Sequence, residues 1–180
     1  MPSLDRKLIR DRYFHEYGAD VAPAFGTYLE HEGTDGTLAT LGYSRAGTDP
    51  LFLERYLDEP VERAVATAFG EAVARDQIVE IGNLASCNGW ALVRLWGLAA
   101  NDLGGELEFA VATLTAPLRA MFRRIGLPVQ VLAAARVERS GGGDWGSYYQ
   151  LDPQVCVGRI AEGQRAIACF LARRQRERAA

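Results

Sequence analysis

Apolar residues recur along the chain at two spacings, four apart and two apart, and the switches between them mark its elements. Leu4 and Leu8, with Ile9, Tyr13 and Tyr17 as a second row, predict a first helix over 4–17, capped by Ser3 and ended by Gly18. From Ala24 to Glu32 the period drops to two, with Phe25, Thr27, Leu29 and His31 on one side. Gly33-Thr34-Asp35-Gly36 is a turn signal before a second strand, Thr37 to Arg45, so the pair predicts an antiparallel hairpin. Pro50 to Ala74 is helical in pattern with a break at Asp58-Glu59-Pro60, where a new helix begins; Val61, Val65, Ala68, Phe69 and Ala72 carry its buried face.

The second half alternates more regularly. Gln77 to Ser86 reads as a strand, and Asn88-Gly89 opens a helix whose apolar face is Trp90, Val93, Leu95, Trp96, Ala99 and Ala100, closed by Gly104-Gly105. Glu106 to Thr115 is a strand, Pro117 to Ile125 a helix, Val129 to Val137 a strand. Glycines at 141–143 then precede Asp144-Trp145-Gly146-Ser147-Tyr148-Tyr149, and 157–176 closes the chain as a long amphipathic helix. This order predicts a single α/β or α+β domain over 1–180, with helix, hairpin and helices in 1–75 and a strand–helix core in 76–180 around a mixed sheet covered by helices.

Composition narrows the function. At 48% hydrophobic and 24% charged residues over 180, the chain has a real core and is no disordered tail, and no apolar run approaches the roughly 20 residues of a membrane span. A net charge of −3 leaves no global field to draw nucleic acid or anionic lipid. The arginines at 173–178 suit the C-terminal carbonyls of a helix. Cys87, Cys156 and Cys169 make neither a disulfide framework nor a zinc spacing. With a charged amphipathic start rather than an apolar signal core, the expectation is a reduced, cytoplasmic protein with no metal, no nucleic-acid partner and no stable membrane insertion.

Phosphate-loop, dinucleotide and nucleophile-elbow signatures are missing, and only His15 and His31 are present for histidine chemistry. The segment 78–90 carries the strongest candidates. Strand alternation puts Glu80, Gly82, Leu84 and Ser86 on one face and Val79, Ile81, Asn83 and Ala85 on the other. Glu80 and Asn83 in a buried strand need partners or a use: either an arginine for Glu80 and a neighbouring strand clamped by Asn83, or catalysis. Ser86-Cys87-Asn88-Gly89 leads into a helix N-terminus, a ready site for phosphate; Cys87 is read as a buried thiol. Glu54 and Asp58, four apart with Arg45 upstream, read as a helix salt bridge or a binding cluster, and 144–149 as an aromatic core plug or a binding wall.

Tyr43-Ser44-Arg45-Ala46, the block from Pro50 through Phe52-Leu53-Glu54-Arg55-Tyr56-Leu57-Asp58 to Glu62, Val79-Glu80-Ile81-Gly82-Asn83-Leu84-Ala85, and Trp145-Gly146-Ser147-Tyr148-Tyr149 with Pro153 and Val155 resemble the thermostable haemolysin family. The blocks keep the family's order over roughly residues 8–165. That family looks like a relative of GNAT-type acyltransferases and of acyl-homoserine-lactone synthases. The resemblance implies a GNAT-like, mixed and mostly antiparallel sheet, and acyl transfer from a phosphopantetheine thioester to an amine or amino-acid-like acceptor. It implies no tightly bound cofactor; acyl-CoA or an acyl carrier protein serves as co-substrate. The donor's arm would lie on Ile81, Gly82, Leu84 and Ser86, its phosphates at Asn88 and Gly89. Glu80 would be the base, Asn83 would hold the thioester, and Tyr148 or Tyr149 would protonate the thiolate. Arg45, Glu54, Tyr56, Asp144 and Trp145 would bind the acceptor. One departure stands out: Ser86-Cys87-Asn88-Gly89-Trp90-Ala91 has one glycine and no basic residue, unlike the usual coenzyme-A loop, which leaves room for a carrier-protein donor. The alternatives are a membrane-acting cytolysin, against which the missing apolar and basic amphipathic segments argue, and a catalytically inactive binding module of the same fold.

Overall fold

The helical and strand patterns resolve, in a computed structural model describing residues 5–179 other than 23 and 35, into one six-stranded sheet with helices on both faces. The predicted Ser3 cap, the Leu4 start of the first helix and Asp35 of the turn lie outside the described residues. In chain order the elements are α1 (Asp5–Tyr17), β1 (Thr27–Gly33), β2 (Gly36–Arg45), α2 (Val61–Phe69), β3 (Ile78–Ser86), α3 (Gly89–Leu103), β4 (Phe109–Leu114), α4 (Ala116–Ile125), β5 (Gln130–Ala134), β6 (Gln154–Arg159) and α5 (Ile160–Ala179). The strand order is β1-β2-β3-β4-β6-β5, and only β3 and β4 run parallel. This is the mixed, mostly antiparallel α+β sheet that the resemblance implied.

Cys87, expected as a buried thiol, is exposed, and two expected elements change. The long closing helix was expected from Val157, but residues 154–159 form β6, hydrogen-bonded to β4 on one side and β5 on the other. Val155, Cys156 and Val157 are all buried, and a strand covered on both faces reads as a continuous apolar run that periodicity cannot tell from helix. The stretch before Pro60 is a single 3-10 turn, Phe52–Tyr56, rather than a full helix.

Each face of the sheet has its own core. Val79 and Ile81 of β3 point to α3, α4 and α5, packing with Leu95, Leu103, Phe122 and Ile167. Ile78 points the other way, with Phe109 and Val111, to Leu53, Leu57, Val61 and Val65 of the 3-10 turn and α2. The turn is fixed by Glu54, which accepts hydrogen bonds from the backbone N–H groups of Leu51 (2.7 Å) and Val61 (3.0 Å) and takes both arms of the Arg75 guanidinium at 2.7 Å. Arg75 also reaches Glu62 at 2.8 Å. From the other side Arg139 donates to the carbonyls of Tyr56 (3.0 Å) and Leu57 (2.5 Å) and to Asp58 (2.8 Å).

The Arg75 guanidinium, with help from the Val61 and Leu51 amides against the cost of burial, lowers the Glu54 carboxyl from an ordinary 4.5 to about 2. A lowered folded value means stability that is present above pH 4.5 and lost as pH falls from 4.5 through about 2. Glu54→Gln should therefore melt below the parent protein at pH 7, and the gap should narrow on acidification to pH 3; thermal unfolding followed by circular dichroism at both pH values measures it, and a gap that stays constant contradicts this role.

Candidate active site

The site is built on an irregularity in β3. Thr40 pairs with Ala85 and Gly42 with Gly82, so the single residue Leu41 faces both Asn83 and Leu84, and Asn83 takes a left-handed backbone with φ 46°. Such a bulge reverses the alternation of side chains. Leu84 packs with Val79 and Ile81 on the α3 side, whereas Ala85 packs with Ile9, Ala19 and Val21. The single face expected for Glu80, Gly82, Leu84 and Ser86 is therefore broken at Asn83. The Asn83 side-chain oxygen accepts from the Ala24 N–H at 2.9 Å and the Tyr28 hydroxyl at 3.2 Å, holding the segment that leads into β1.

On its other edge β3 pairs with β4 only from Ile78↔Phe109 to Ile81↔Ala112. Beyond that point the parallel strands part. A cleft of about 390 Å³ follows, lined by Tyr13, Tyr17, Leu84, Ser86 and Leu92 on one flank and Thr115 and Leu118 at the start of α4 on the other. Asn88 caps α3, its side-chain oxygen accepting from Ala91 N–H at 2.9 Å.

Glu80 sits where the strands part, with 3% of its surface exposed. Its partners are backbone amides rather than an arginine: Phe52 N–H donates to one carboxylate oxygen at 2.7 Å and Leu53 N–H to the other at 3.1 Å. Burial raises its pKa from 4.5 to about 7, with the two amides opposing the shift. A carboxyl poised near neutrality in a cavity is suited to taking a proton from a reacting group.

That cavity measures about 310 Å³ and carries Tyr13, Phe52, Tyr56, Trp145 and Tyr148 on its walls, with Asp20 and Asp144 also lining it. Phe25 forms a further wall. It lies over the cross-strand pair Gly42 and Gly82, where a Cβ would come within 2.7 Å and 2.5 Å of it, so any side chain at either position displaces the ring. Trp145 donates its indole N–H to Gly142 O at 3.1 Å, and meets Tyr148 with ring centroids 5.6 Å apart. The loop carrying it closes on α1 through Gly146 (φ 50°), where a Cβ would lie 1.9 Å from Tyr17 O. Burial pushes the Tyr148 phenol well above its ordinary value of 10. The Tyr56 and Tyr149 hydroxyls share a 2.6 Å hydrogen bond, and burial followed by that bond pushes Tyr56 up as well.

Glu80, Ile81, Gly82, Asn83, Tyr56, Asp144, Trp145 and Tyr148 thus line one cavity. Leu84 and Ser86 line the neighbouring cleft, Tyr149 stands behind Tyr56, and Gly89 lies at the start of α3. Two residues expected at the acceptor are placed elsewhere: Glu54 is bound up with Arg75, and Arg45 is paired with Glu106 at 2.6 Å beside a second hollow that meets Glu80 from the other side. Tyr13, Asp20, Phe25 and Thr113 line the cavity and were missed. Tyr13 had read as one of α1's packing row and Phe25 as a strand residue, and neither pattern tells a wall of a cavity from a core contact.

Similarity to known proteins agrees with this geometry. Among solved structures the chain is similar to FeeM, an N-acyl amino acid synthase from uncultured soil microbes, with 12% identity over 90% of this chain and 92% of that one and a TM-score of 0.62. It is similar to the acyl-homoserine-lactone synthase LasI, with 16% identity, 91% and 86% coverage and a TM-score of 0.60. It is also similar to BjaI, a CoA-dependent acyl-homoserine-lactone synthase solved with SAM and isopentyl-CoA, with 14% identity, 94% and 81% coverage and a TM-score of 0.62. At these identities the likeness is one of fold. No curated protein matches the chain in sequence. The sequence profile of the thermostable haemolysins matches residues 4–164, nearly the whole length, and the chain belongs to that family.

Proposed function

We propose that the protein transfers an acyl group from a phosphopantetheine thioester to an amine. The observation that carries this reading is an almost wholly buried carboxyl, held by two backbone amides and facing a cavity at the point where two parallel strands part. The fold shared with synthases of N-acyl amino acids and acyl-homoserine lactones supports it.

The donor's arm enters along the cleft between α1, the end of β3 and the start of α4, and its carbonyl comes to rest beside Asn83 and Thr113. The acceptor arrives as an ammonium, which has no lone pair to attack with, so Glu80 first takes a proton from it, directly or through water. The amine nitrogen then bonds to the thioester carbon. Backbone N–H groups freed by the bulge and by the parting of β3 from β4 stabilise the oxyanion, and the C–S bond breaks. Tyr148 is too weak an acid to give its proton outright to an ordinary thiolate, because burial holds the phenol far above the thiol range. Its role is to donate a hydrogen bond to the departing sulfur, while the ammonium proton of the tetrahedral intermediate, a far stronger acid, ends on the thiol. The products are an amide, a free thiol and one released proton. The carrier can be coenzyme A or a carrier protein, and Ser86 and the start of α3 are where its phosphates would lie.

Among the described residues no helix is long and apolar enough to cross a membrane. On the acyl-transfer reading, the lytic activity that the family name suggests comes from a detergent-like acylated product.

Purified protein incubated with acyl-CoA and acyl-carrier-protein of several chain lengths, with and without pooled amines and amino acids, should release thiol with one donor only when an acceptor is present. It should not lyse red cells without those substrates. Lysis by the protein alone, or no thermal shift with any thioester, overturns the reading. Glu80→Gln should lower kcat by roughly 10²–10⁴. In the parent protein kcat/KM should rise with pH through about 7 as Glu80 ionises; a flat profile over pH 6–8 contradicts its role as base.

A further inference from the structure

The charges around the cavity are one-sided, and they narrow the acceptor. Resting on the acyl-transfer reading, we propose that the acceptor is a cationic amine with no carboxylate beside its amino group, held by its ammonium between the aromatic walls and the acidic mouth next to Glu80. Three acidic residues line the cavity, Glu80, Asp20 and Asp144, and among its described lining residues there is no lysine, arginine or histidine. Asp20 and Asp144 are fixed side by side through a backbone bridge, Asp20 N–H donating to Asp144 O at 3.0 Å. One Asp144 carboxylate oxygen accepts from Gly146 N–H at 3.2 Å, and both residues are exposed at the rim.

Tyr13, Phe52, Tyr56, Trp145 and Tyr148 make the lining aromatic, and cations are drawn to aromatic rings most strongly where water is excluded. An anionic group on the ligand would meet the opposite: acidic residues on the lining, and beyond it only the Arg55 guanidinium, whose charge reaches Glu80 but whose Nε and Nη1 donors are taken. The nearby arginines are committed elsewhere. Arg55 stacks on Phe52, 3.8 Å from its centroid, and donates to the carbonyls of Phe52 and Ser140. Arg139 is held by Tyr56, Leu57 and Asp58, and Arg45, in an exposed pair with Glu106, lines the second hollow and not this cavity. An α-amino acid entering this cavity would bury its carboxylate unpaired, which costs far more than a rim contact.

The chemistry is balanced without any further reactant. The ammonium loses one proton to Glu80, nitrogen bonds to the acyl carbon, the thiol leaves with a proton, and the neutral amide that forms no longer carries the charge the cavity holds. Loss of that charge also favours product release.

Two matched sets test this: phenylalanine, its methyl ester and phenethylamine, and norleucine, its methyl ester and pentylamine. Thiol release is followed with the donor, and binding of the same compounds is followed by calorimetry without it. The amines and the esters should exceed the parent amino acids by roughly 10²-fold in kcat/KM and in affinity, since removing the anion is what matters. Asp144→Asn should raise KM for the amines about tenfold and narrow their preference. Preference for the free amino acids, lost in Arg45→Ala, would overturn the proposal and put the acceptor in the second hollow beside Arg45. Failure of every amine to bind would also overturn it. Should no donor yield thiol with any acceptor, the acyl-transfer reading fails, and the calorimetric ranking alone decides whether the cavity selects cationic amines.

Discussion

Two hydrogen bonds, from the amides of Phe52 and Leu53 to the Glu80 carboxylate, tie the middle of β3 to the 3-10 turn that packs over it. A carboxylate in the middle of a strand and two unpaired N–H groups at the start of a 3-10 turn would each be costly if buried alone. Together they satisfy one another, and they fix the height of the turn above the strand. Glu54 with Arg75, and Arg139 with the turn's last carbonyls, then hold the turn from its outer side. The arrangement has a cost. Because the folded pKa of Glu80 lies above its ordinary value, the fold is most favoured below pH 4.5 as far as this group is concerned and gives up stability as pH rises through about 7. Accepting that cost leaves a carboxyl half-ionised near neutrality inside a cavity, which a salt-bridged carboxylate such as Glu54 cannot be.

The rest of the site follows from what β3 does on either side of Glu80. Toward β2, the bulge at Asn83 turns the strand and frees a side-chain oxygen to hold the segment before β1, whose Phe25 then lies on two glycines. Toward β4, pairing stops after Ile81, and a cleft opens beyond it that shares Tyr13 with the Glu80 cavity. Gly146 lets the aromatic loop meet the end of α1 closely enough for Trp145 and Tyr148 to complete the cavity.

Much of this was legible in the sequence and some was not, for physical reasons. The hairpin, β3, α3 and α4 carry clear periods with turn or cap residues at their ends, and they form close to where the pattern puts them. β6 does not, because a strand buried on both faces has no polar side to alternate with. Glu80 stood out as a charge in an apolar run, but the sequence offered an arginine as its partner, since nothing local reports that a backbone turn from 28 residues earlier would supply two amides. A clamp by Asn83 was one of two readings, placed on a neighbouring strand, and it holds the segment before β1 instead; the bulge it makes was not legible, because one left-handed residue leaves the composition of the strand unchanged. Arg45 and Glu54 looked alike as charged neighbours of the site, yet each had found a long-range partner of opposite charge, and long-range pairs are invisible to spacing.

The central claim is that Glu80 is a buried, amide-held base poised near neutrality, and the most direct test is to titrate it. Carbon-13 carboxyl resonances of the protein labelled at glutamate, with the Glu80 signal assigned by its loss in Glu80→Gln, give its pKa without reference to any substrate. The account predicts a midpoint near 7, well apart from the other glutamates. A midpoint near 4.5 would show a solvated carboxylate, and would remove the base from the mechanism.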